Sequence, residues 1–558
     1  MSTGVAKALG AALLAALAAC GSSQTARTSE PIEVASARRA TFMLNAMQPG
    51  ADYNPFALAK ASLDQPLSNE EASVPPQCYT RADGDSNACA SCHTRSSAPN
   101  FADDWEFQQN YSFTEYGKTN RWKNQFRERS DKVASFTDDA ILSHVRKDNY
   151  APLRAWLAAN PDSPGYQPDL DFAKGFSADG FATDGSGWRA LRYKPFLGGF
   201  WATNGSTDDV FVRLPAAFRT GVAGEVSDDI YRTNLAILEA AISADPKAKL
   251  ASLTRTIEPI DERVGGLDLD GDGQLATATT VVGLPARYVG GASSIAVTRS
   301  LYPQGVEFLH TVRYLDPDRP GFAATRMKEV RYAKKSQLLT ERQIAKAYEN
   351  IENPEMEPFS GNALTGMKNG FSWELQGYIE DANGWLRKQT NEETEFCMGC
   401  HSNVGVTVDQ TFAFARKVPA LAGWRMQDPT GIPDVPQAGH TTGEYAAYML
   451  RTRGADDLRS NDEAAAKFLK NGTLDEVAAQ ALSKDITKVV LPSAKRAIAL
   501  NRAYLANVME QSYVWGREAS TSPAKNVHTK IVERSTGLGE ADRVYRDVRL
   551  QLDWSTQK

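Results

Sequence analysis

The sequence predicts a mainly α-helical fold with a minor β component and long loops. Two observations support this prediction. Helical periodicity, with apolar residues three or four positions apart, dominates the last third of the chain and recurs within residues 112–160 and 227–244. Residues 162–206 are instead dense in glycine, proline and aromatic residues, which favours loops with short strands.

The individual elements follow from caps and local patterns. Residues 138–145 begin with two acidic residues and then turn apolar, and residues 227–244 carry an amphipathic pattern, so both predict helices. Residues 208–215 alternate enough for one strand, while 301–314 and 328–333 are short apolar pieces. The last third is expected to contain helices at residues 442–451, 462–470, 474–484 and 493–511.

The composition excludes several classes of protein. The 558 residues are 42% hydrophobic and 23% charged, which is typical of globular proteins and not of disordered chains. A net charge of -6 at this length argues against nucleic acid as a partner. No stretch after the N-terminal region is long and apolar enough to span a bilayer as a helix.

The N-terminus has the pattern of a lipoprotein export signal. A short positive region precedes the apolar run of residues 8–19, which is too short to span a bilayer. The run leads into Cys20-Gly21, which resembles the bacterial lipobox, and Cys20 would become the lipidated first residue. An ordinary cleaved signal with an incidental cysteine is the alternative. Gly21, in place of an aspartate, favours the outer membrane over the inner one.

Two C-x-x-C-H motifs, at residues 89–93 and 397–401, carry the chemistry of the chain. This pattern is the attachment signature of c-type haem. Two thiols one helical turn apart can add to the two vinyl groups of one porphyrin, and the following histidine becomes the axial iron ligand. Oxidised cysteine pairs or a zinc or redox pair are the alternatives. The sequence predicts two covalently bound haem c groups, held by Cys89, Cys92, His93, Cys397, Cys400 and His401.

The sixth iron position separates an electron carrier from an enzyme, because a strong protein ligand there excludes substrate. His310 is the leading candidate, since it lies in an apolar and aromatic stretch that suits a haem face. His144 lies on a predicted helix and His440 precedes a helix cap, at a distance from each motif that suits a distal residue. The weaker candidates are His528, Met327, Met426 and Met449.

Cys78 is left over once the lipid cysteine and the two motif pairs are set aside. It has no obvious disulfide partner, although an exported protein meets oxidising conditions. A buried free thiol is one interpretation, and a thiolate ligand to a haem iron is the other.

A third motif, at residues 268–275, matches the start of an EF-hand calcium loop. Position 12 of such a loop should carry an acid, but Thr279 occupies it, so a complete EF-hand is not expected. Missing ligands would come from elsewhere, for example from Glu262, and a simple Asp/Gly turn is the alternative. The loop predicts one structural Ca²⁺, with Asp268, Asp270, Asp272 and Gln274 as candidate ligands.

Several stretches around the motifs resemble an uncharacterised di-haem cytochrome c lipoprotein family of Gram-negative bacteria. The resemblance covers about residues 75–530 and extends more distantly to di-haem c-type oxidoreductases. It implies a multi-haem cytochrome c-like architecture in which the two haem regions form one continuous unit. The stretches that carry it are residues 76–80, 308–314, 409–417, 423–424, 492–493 and 500–504.

These observations predict a di-haem c-type cytochrome lipoprotein that transfers electrons in the periplasm or at the outer membrane. Its partners would be redox proteins there, and the membrane itself through the lipid anchor. The alternative is a di-haem oxidoreductase, peroxidase- or oxygenase-like, with one open haem site. The predicted regions are a signal peptide (1–19), a lipidated flexible tether (20–50), a first haem region with the calcium-like loop (51–330) and a helical second haem region (331–558).

Overall fold

The computed structural model describes residues 48–535 and 551–556, except for positions 71, 82–88, 95–109, 112, 200, 246–247, 352–358, 403, 453–454, 457–458 and 472. The predicted signal peptide, the lipidation site Cys20 and nearly all of the predicted tether therefore lie outside the described residues.

Strands are numbered β1 to β14 in chain order within the described residues. They are β1 (Arg189–Leu191), β2 (Thr207–Arg213), β3 (Thr254–Asp261), β4 (Thr277–Val282), β5 (Glu307–Leu315), β6 (Ala323–Lys335), β7 (Phe359–Asn362), β8 (Gly366–Asn369), β9 (Trp373–Glu380), β10 (Leu386–Lys388), β11 (Ala455–Asp456), β12 (Arg459–Ser460), β13 (Leu469–Lys470) and β14 (Thr473–Leu474).

Helices are numbered α1 to α14 in the same way. They are α1 (Ala57–Ala61), α2 (Cys89–Cys92), α3 (Ser130–Ala134), α4 (Asp138–Val145), α5 (Tyr150–Ala159), α6 (Asp228–Ser243), α7 (Glu262–Gly265), α8 (Glu341–Ile351), α9 (Asn391–Ser402), α10 (Glu444–Thr452), α11 (Asp462–Phe468), α12 (Glu476–Leu482), α13 (Thr487–Val490) and α14 (Ala494–Glu510).

An eight-stranded antiparallel sheet lies at the centre of the described structure. Its strand order is β1-β2-β5-β6-β9-β8-β7, and β10 pairs with β9. Three small two-stranded sheets stand apart from it, one of them the β3-β4 pair. The predicted boundary between residues 330 and 331 falls inside β6, so the sheet draws strands from both predicted haem regions.

The prediction of a mainly α-helical, multi-haem cytochrome c-like fold is wrong. The described part of the chain is 34% helical and 20% strand, with a large antiparallel sheet. The error lies at residues 301–314 and 328–333, which looked like isolated apolar pieces but belong to the long central strands β5 and β6. Both strands are largely buried on both faces although they contain charged residues such as Lys328 and Glu329, so they lack the regular alternation that identifies a half-exposed strand.

Most of the helices predicted from local signals are present. The helix α6 begins after Ser227, whose side chain accepts a hydrogen bond from the backbone N–H of Ile230 at 3.2 Å. Thr137 caps α4 in the same way, and Ser493 caps α14. These boundaries agree with the predictions because a capping side chain is a local signal that needs no distant partner.

The two faces of the central sheet pack against different parts of the chain. One face contributes Phe211, Leu309 and Met327 to a hydrophobic cluster that includes residues of α5. The other face contributes Val210 and Phe308 to a larger cluster, which also contains Cys397 and Met398 of α9. Because side chains alternate between the faces of a strand, this second face directs every other residue toward the second C-x-x-C-H motif.

Candidate functional site

A cavity of about 680 Å³ lies against the second face of the central sheet. Alternate residues of four neighbouring strands line it, in agreement with the two-residue period of side chains in a strand. Much of the remaining lining comes from the two motif segments and from the loops at residues 193–199 and 411–416. The alternating lining residues on the sheet are Asp208, Val210, Phe308, His310, Val312, Glu329, Arg331, Ala333 and Leu375, and the sheet also contributes Lys328, Tyr332, Phe359 and Gln376.

The structure brings the two C-x-x-C-H motifs together at this cavity. Cys92 and His93 of the first motif line it, and so do Cys397, Cys400 and His401 of the second. Cys92 also packs against the hydrophobic cluster that contains Cys397. Two motifs about 300 positions apart in the sequence therefore share one site. Cys89 begins the short helix α2, but its side chain is not part of the described structure.

The second motif occupies the last turns of α9, and a capping box sets the start of this helix. The Thr390 hydroxyl accepts a hydrogen bond from the N–H of Glu393 at 3.2 Å, and the Glu393 carboxylate accepts one from the N–H of Thr390 at 2.9 Å. Since Cys397, Cys400 and His401 are spaced at i, i+3 and i+4, the helix presents all three on one side, toward the cavity.

His401 is held in a single tautomer. Its Nδ1 donates a hydrogen bond to the backbone carbonyl of Gln410 at 2.8 Å, which leaves Nε2 without a proton in the neutral ring. Burial, together with the charges of Arg331 and His310, lowers the pKa of His401 to about 4, against the opposing effect of its hydrogen bond to Gln410. The imidazole is therefore neutral at ordinary pH and has a lone pair at Nε2.

A tight turn orients the backbone carbonyl of Gln410. Asp409 and Gln410 both have positive φ, at 45° and 61°, and Val408 and Thr411 exchange two backbone hydrogen bonds of 3.1 Å around them. The Asp409 carboxylate accepts a hydrogen bond from the buried ammonium of Lys335 at 2.6 Å. Left-handed backbone of this kind costs free energy and persists only where the surroundings enforce it.

The thiol of Cys400 in the second motif is protonated at ordinary pH. Burial, and after it the neighbouring Cys397, raise the pKa of the Cys400 thiol to about 11. Among the residues that the structure describes, Cys397 and Cys400 are free cysteines and form no disulfide with each other. Cys78 also lines the cavity, together with Cys92, Cys397 and Cys400.

His310 faces the cavity from the centre of β5. Its Nε2 lies 2.9 Å from Oδ2 of Asp208 on the neighbouring strand. The hydroxyl of Tyr193 donates to the same carboxylate oxygen. The three side chains therefore form one hydrogen-bonded group in the wall of the cavity.

Arg331 faces the cavity from β6, directly opposite His310 in the strand register. Its Nε donates to Oε2 of Glu329 at 3.0 Å, and Nη1 of Arg517 donates to the same oxygen at 2.8 Å. The two guanidinium charges lower the pKa of Glu329 to about 2 against the opposing effect of burial. One carboxylate thus accepts hydrogen bonds from two guanidinium groups in the wall of the cavity.

Of the distal-ligand candidates, the structure places only His310 and Cys78 in the lining of the cavity. His144 is fully buried in α4, with Nε2 3.6 Å from Glu380, and lies outside the lining. His440 is exposed. Met327 and Met449 are buried in other hydrophobic clusters, and Met426 and His528 also lie elsewhere.

The acidic loop forms a second site, on α7 and the segment that leads to β4. Glu262, Asp268 and Asp270 place carboxylate oxygens within 4.8 Å of one another. Glu262 is the residue that the sequence suggested as a supplementary ligand. Asp272 turns its carboxylate to the N–H of Gln274 at 2.7 Å, and neither of these two belongs to the cluster.

Sequence reasoning missed Asp208, Tyr193 and Arg331. Asp208 could have been identified from the sequence, because it lies within the predicted strand at residues 208–215. A carboxylate buried in a strand needs a hydrogen-bond partner. The identity of that partner depends on strand order, which the sequence pattern did not reveal.

Comparison with known proteins identifies the family to which this chain belongs. A family described as "-like lipoprotein" matches residues 62–487. A protein of Aquifex aeolicus (strain VF5), named "Uncharacterized lipoprotein", is 30% identical over 516 residues, which cover 81% of this chain and 86% of that protein. The chain therefore belongs to this lipoprotein family. No solved structure matches the chain.

The predicted membership of a di-haem cytochrome c lipoprotein family is wrong, and so is the more distant likeness to di-haem c-type oxidoreductases. The descriptions of the matched family and of its relative name only a lipoprotein. Residues 308–314 carried part of the resemblance, but they form a buried sheet strand, so their aromatic residues reflect packing between strands.

Membership of a lipoprotein family agrees with the predicted export and lipid anchor. Within the described parts of the chain, no helix is long and apolar enough to cross a membrane.

Proposed function

We propose that the chain binds haem covalently at both C-x-x-C-H motifs and uses the two haems to transfer electrons. The observation that carries the proposal is that both motifs line one cavity. Groups bound to the two motifs would be neighbours, as electron exchange between them requires. Bound haem supplies one-electron redox chemistry, which none of the side chains in the cavity provides at accessible potentials.

The residues of the second motif fit a covalently bound haem. Cys397 and Cys400 are one helical turn apart, as addition to the two vinyl groups of one porphyrin requires. His401 is neutral, and its hydrogen bond to Gln410 fixes Nε2 as the atom that binds iron. A ring nitrogen held in this way loses little orientational freedom when it binds a metal.

The walls of the cavity suit a large flat apolar group. Phe308, Phe412 and Phe414 line it together with aliphatic residues of the sheet. A volume of about 680 Å³ lies in the range of cofactor pockets. Side chains of this kind exclude water from a bound group and lower the local dielectric, which strengthens the effect of every nearby charge.

The decisive experiment counts covalent haem. The full-length chain is produced together with a bacterial system for c-type haem attachment and purified in detergent. We expect the intact mass to exceed that of the lipidated polypeptide by two haems, and haem staining to survive denaturation. A purified chain that carries no haem mass would overturn the proposal.

Motif variants assign each haem. Replacing Cys397 and Cys400 by serine should remove one haem, and replacing Cys89 and Cys92 should remove the other. Cys78→Ser is the matched control, because this cysteine lines the same cavity but belongs to neither motif. Loss of covalent haem from the control would show that attachment does not follow the two motifs.

We propose the outer membrane as the location and periplasmic or surface redox proteins as the partners. Gly21 after the lipidated cysteine supports the outer membrane over the inner one. Cys20→Ser should release the protein as soluble material, and continued sedimentation with membranes would contradict the anchor.

We also propose one structural Ca²⁺ at the acidic loop. Glu262 supports it, since this buried residue from outside the loop brings a third carboxylate within reach of Asp268 and Asp270.

A further inference from the structure

Two segments hold His401, one through its ring and the other through its backbone. The backbone carbonyl of Gln410 accepts the Nδ1 proton of the ring at 2.8 Å. The side-chain amide of Asn369 donates to the backbone carbonyl of His401 at 2.5 Å. Asn369 also accepts hydrogen bonds from the N–H groups of Phe371 and Trp373 at 3.0 and 2.9 Å, so its amide is fixed by its own loop.

The ammonium of Lys335 connects these two segments. It donates to Oδ1 of Asp409 in the turn at 2.6 Å and to the backbone carbonyl of Phe371 in the loop at 3.0 Å. Lys335 is the last residue of β6, and its side chain is only 1% exposed. Hydrogen bonds from a charged donor are about twice as strong as neutral ones, so one buried ammonium can hold both segments at a fixed distance from each other.

Asp409 passes this contact on to the carbonyl of Gln410. Its second oxygen, Oδ2, accepts a hydrogen bond from the N–H of Tyr302 at 2.9 Å, so both carboxylate oxygens have a partner. Asp409 and Gln410 both have positive φ, which residues other than glycine keep only where the surroundings enforce it. The paired carboxylate provides this constraint, together with the hydrogen bond from the Gln410 amide to the hydroxyl of Tyr348 at 2.8 Å.

We propose that Lys335 and Asp409 are positioning residues for His401. They hold the turn so that the Gln410 carbonyl stays at Nδ1, which keeps the ring proton there and leaves the lone pair on Nε2. Neither is among the described residues that line the cavity, so both act through His401 rather than on a bound group. The consequence for iron binding rests on the proposed function, whereas the place of the ring proton belongs to the polypeptide alone.

The first measurement uses the full-length chain produced without haem attachment and carrying isotope-labelled histidine. Nitrogen NMR distinguishes a protonated ring nitrogen from an unprotonated one, and His401→Gln assigns the signals. We expect His401 of the wild type to be a single Nδ1–H tautomer. Lys335→Met should convert it to a mixture of the two tautomers, because the turn is then no longer linked to the loop at residues 369–373.

Lys417→Met is the matched control. Lys417 is also a fully buried lysine, but its ammonium lies 2.9 Å from Oε2 of Glu239 instead of contacting the turn. We expect this variant to lose stability and to keep the wild-type tautomer of His401. The same change of tautomer in both variants would show that the loss of any buried charge pair disturbs His401, and it would overturn the proposal.

A double variant separates positioning from stability. Asp409→Asn combined with Lys335→Met leaves no unpaired carboxylate, so part of the lost stability should return. The mixture of His401 tautomers should persist, because the link between the turn and the loop is still missing. A return of the single tautomer together with the stability would overturn the proposal.

The second measurement uses the protein after its covalent haem has been counted. A hydrogen bond that Nδ1 donates makes Nε2 a more basic ligand, which favours ferric over ferrous iron. Lys335→Met should therefore raise the reduction potential of one haem and leave the other unchanged, and Lys417→Met should shift neither. Equal potentials in the wild type and in Lys335→Met would overturn the proposal.

The two measurements separate this inference from the proposed function. A change of tautomer in Lys335→Met, but not in Lys417→Met, would support the inference even in a chain that never acquires covalent haem. A chain that carries two haems and has the same His401 tautomer in the wild type and in Lys335→Met would overturn the inference and leave the proposed function standing.

Discussion

Short sequence motifs indicate both the cavity and the acidic loop, but the residues of the two sites come together in different ways. The acidic loop gathers its carboxylates from residues 262–270, within nine positions of one another. The cavity joins segments near residues 92, 208, 310, 331 and 401. A local site of the first kind can be predicted from spacing alone, whereas a site of the second kind depends on how the strands are ordered.

The difference also appears in what holds each site in place. The loop is held by hydrogen bonds to its own backbone, such as those from the N–H groups of Gly271 and Gly273 to Asp268 at 2.7 and 2.9 Å. The cavity is held by buried ion pairs and by packing between distant segments. We therefore expect substitutions around the cavity to cost more free energy of folding than substitutions in the loop.

The largest effect is expected for Glu393→Ala, at the start of the motif helix α9. Glu393 closes the capping box and pairs with both Nη atoms of the buried Arg387 at 2.7 and 2.8 Å. Its removal leaves that buried guanidinium without its carboxylate partner, which should lower the free energy of unfolding by about 3 to 5 kcal/mol. Chemical denaturation measures this change.

A double variant separates the ion pair from the cap. If Arg387→Met is combined with Glu393→Ala, the loss should be smaller than the sum of the two single losses, because no unpaired charge remains. Strictly additive losses would show that the pair does not contribute in this way.

A pair of glycine substitutions compares the two sites directly. A Cβ at Gly399, inside the second motif, would overlap the carbonyl oxygen of Ser73, so Gly399→Ala should cost about 1 to 3 kcal/mol or more. A Cβ at Gly271, inside the loop, meets nothing within 4 Å, and only its φ of 74° opposes alanine, at a cost of about 1 kcal/mol. Equal losses in thermal or chemical unfolding would contradict the contrast between the two sites.

His144 provides a pH-dependent comparison with the histidines of the cavity. Burial lowers its pKa to about 4, so the unfolded chain binds more protons than the folded chain between about pH 4 and pH 6.5. Stability should therefore rise with pH through this window. His144→Leu should remove about 2 kcal/mol of the change between pH 5 and pH 6.5.

The same variant should retain both of the proposed haems, because His144 lies outside the cavity lining. An unchanged pH dependence, measured by urea unfolding at the two pH values, would show that another group is responsible. A changed haem spectrum would place His144 at an iron.

The smallest effect is expected from calcium. With free Ca²⁺ at ten times its Kd, binding stabilises the folded chain by about 1.4 kcal/mol, and a chelator should remove this and lower Tm. Asp268→Asn and Glu262→Gln should each weaken the response, while Asp272→Asn should weaken it less because Asp272 lies outside the carboxylate cluster. An identical Tm with chelator and with calcium would contradict the proposed ion.

Local signals allowed part of this fold to be predicted correctly. Ser227 and Ser493 cap the helices that follow them, because a hydroxyl that accepts from the first turn acts within a few residues. The pairing of β5 with β2 and β6 could not be predicted in this way. It depends on contacts across long stretches of chain, and strands buried on both faces carry no alternation that would reveal their register.

The residues of the candidate site also fall into a group that could be predicted from the sequence and a group that could not. His401, Cys397 and Cys400 were predicted because their spacing suits one turn of a helix, and His310 because its surroundings are apolar. The contact of His310 with Asp208 and its position opposite Arg331 were not predictable, since both follow from strand register. The contact with Asp208 engages Nε2 of His310, which spacing along the sequence did not indicate.

The sequence by itself determined the two C-x-x-C-H motifs, the lipobox-like N-terminus, the acidic loop and most helix ends. Each of these depends on residues within about one or two turns of one another, so local spacing is sufficient. Only the tertiary structure decided that the centre is an antiparallel sheet and that the two motifs share one cavity. Both features depend on the burial of apolar surface between strands that are far apart in the sequence. The free energy of this burial depends on the tertiary structure and cannot be assigned to a single segment.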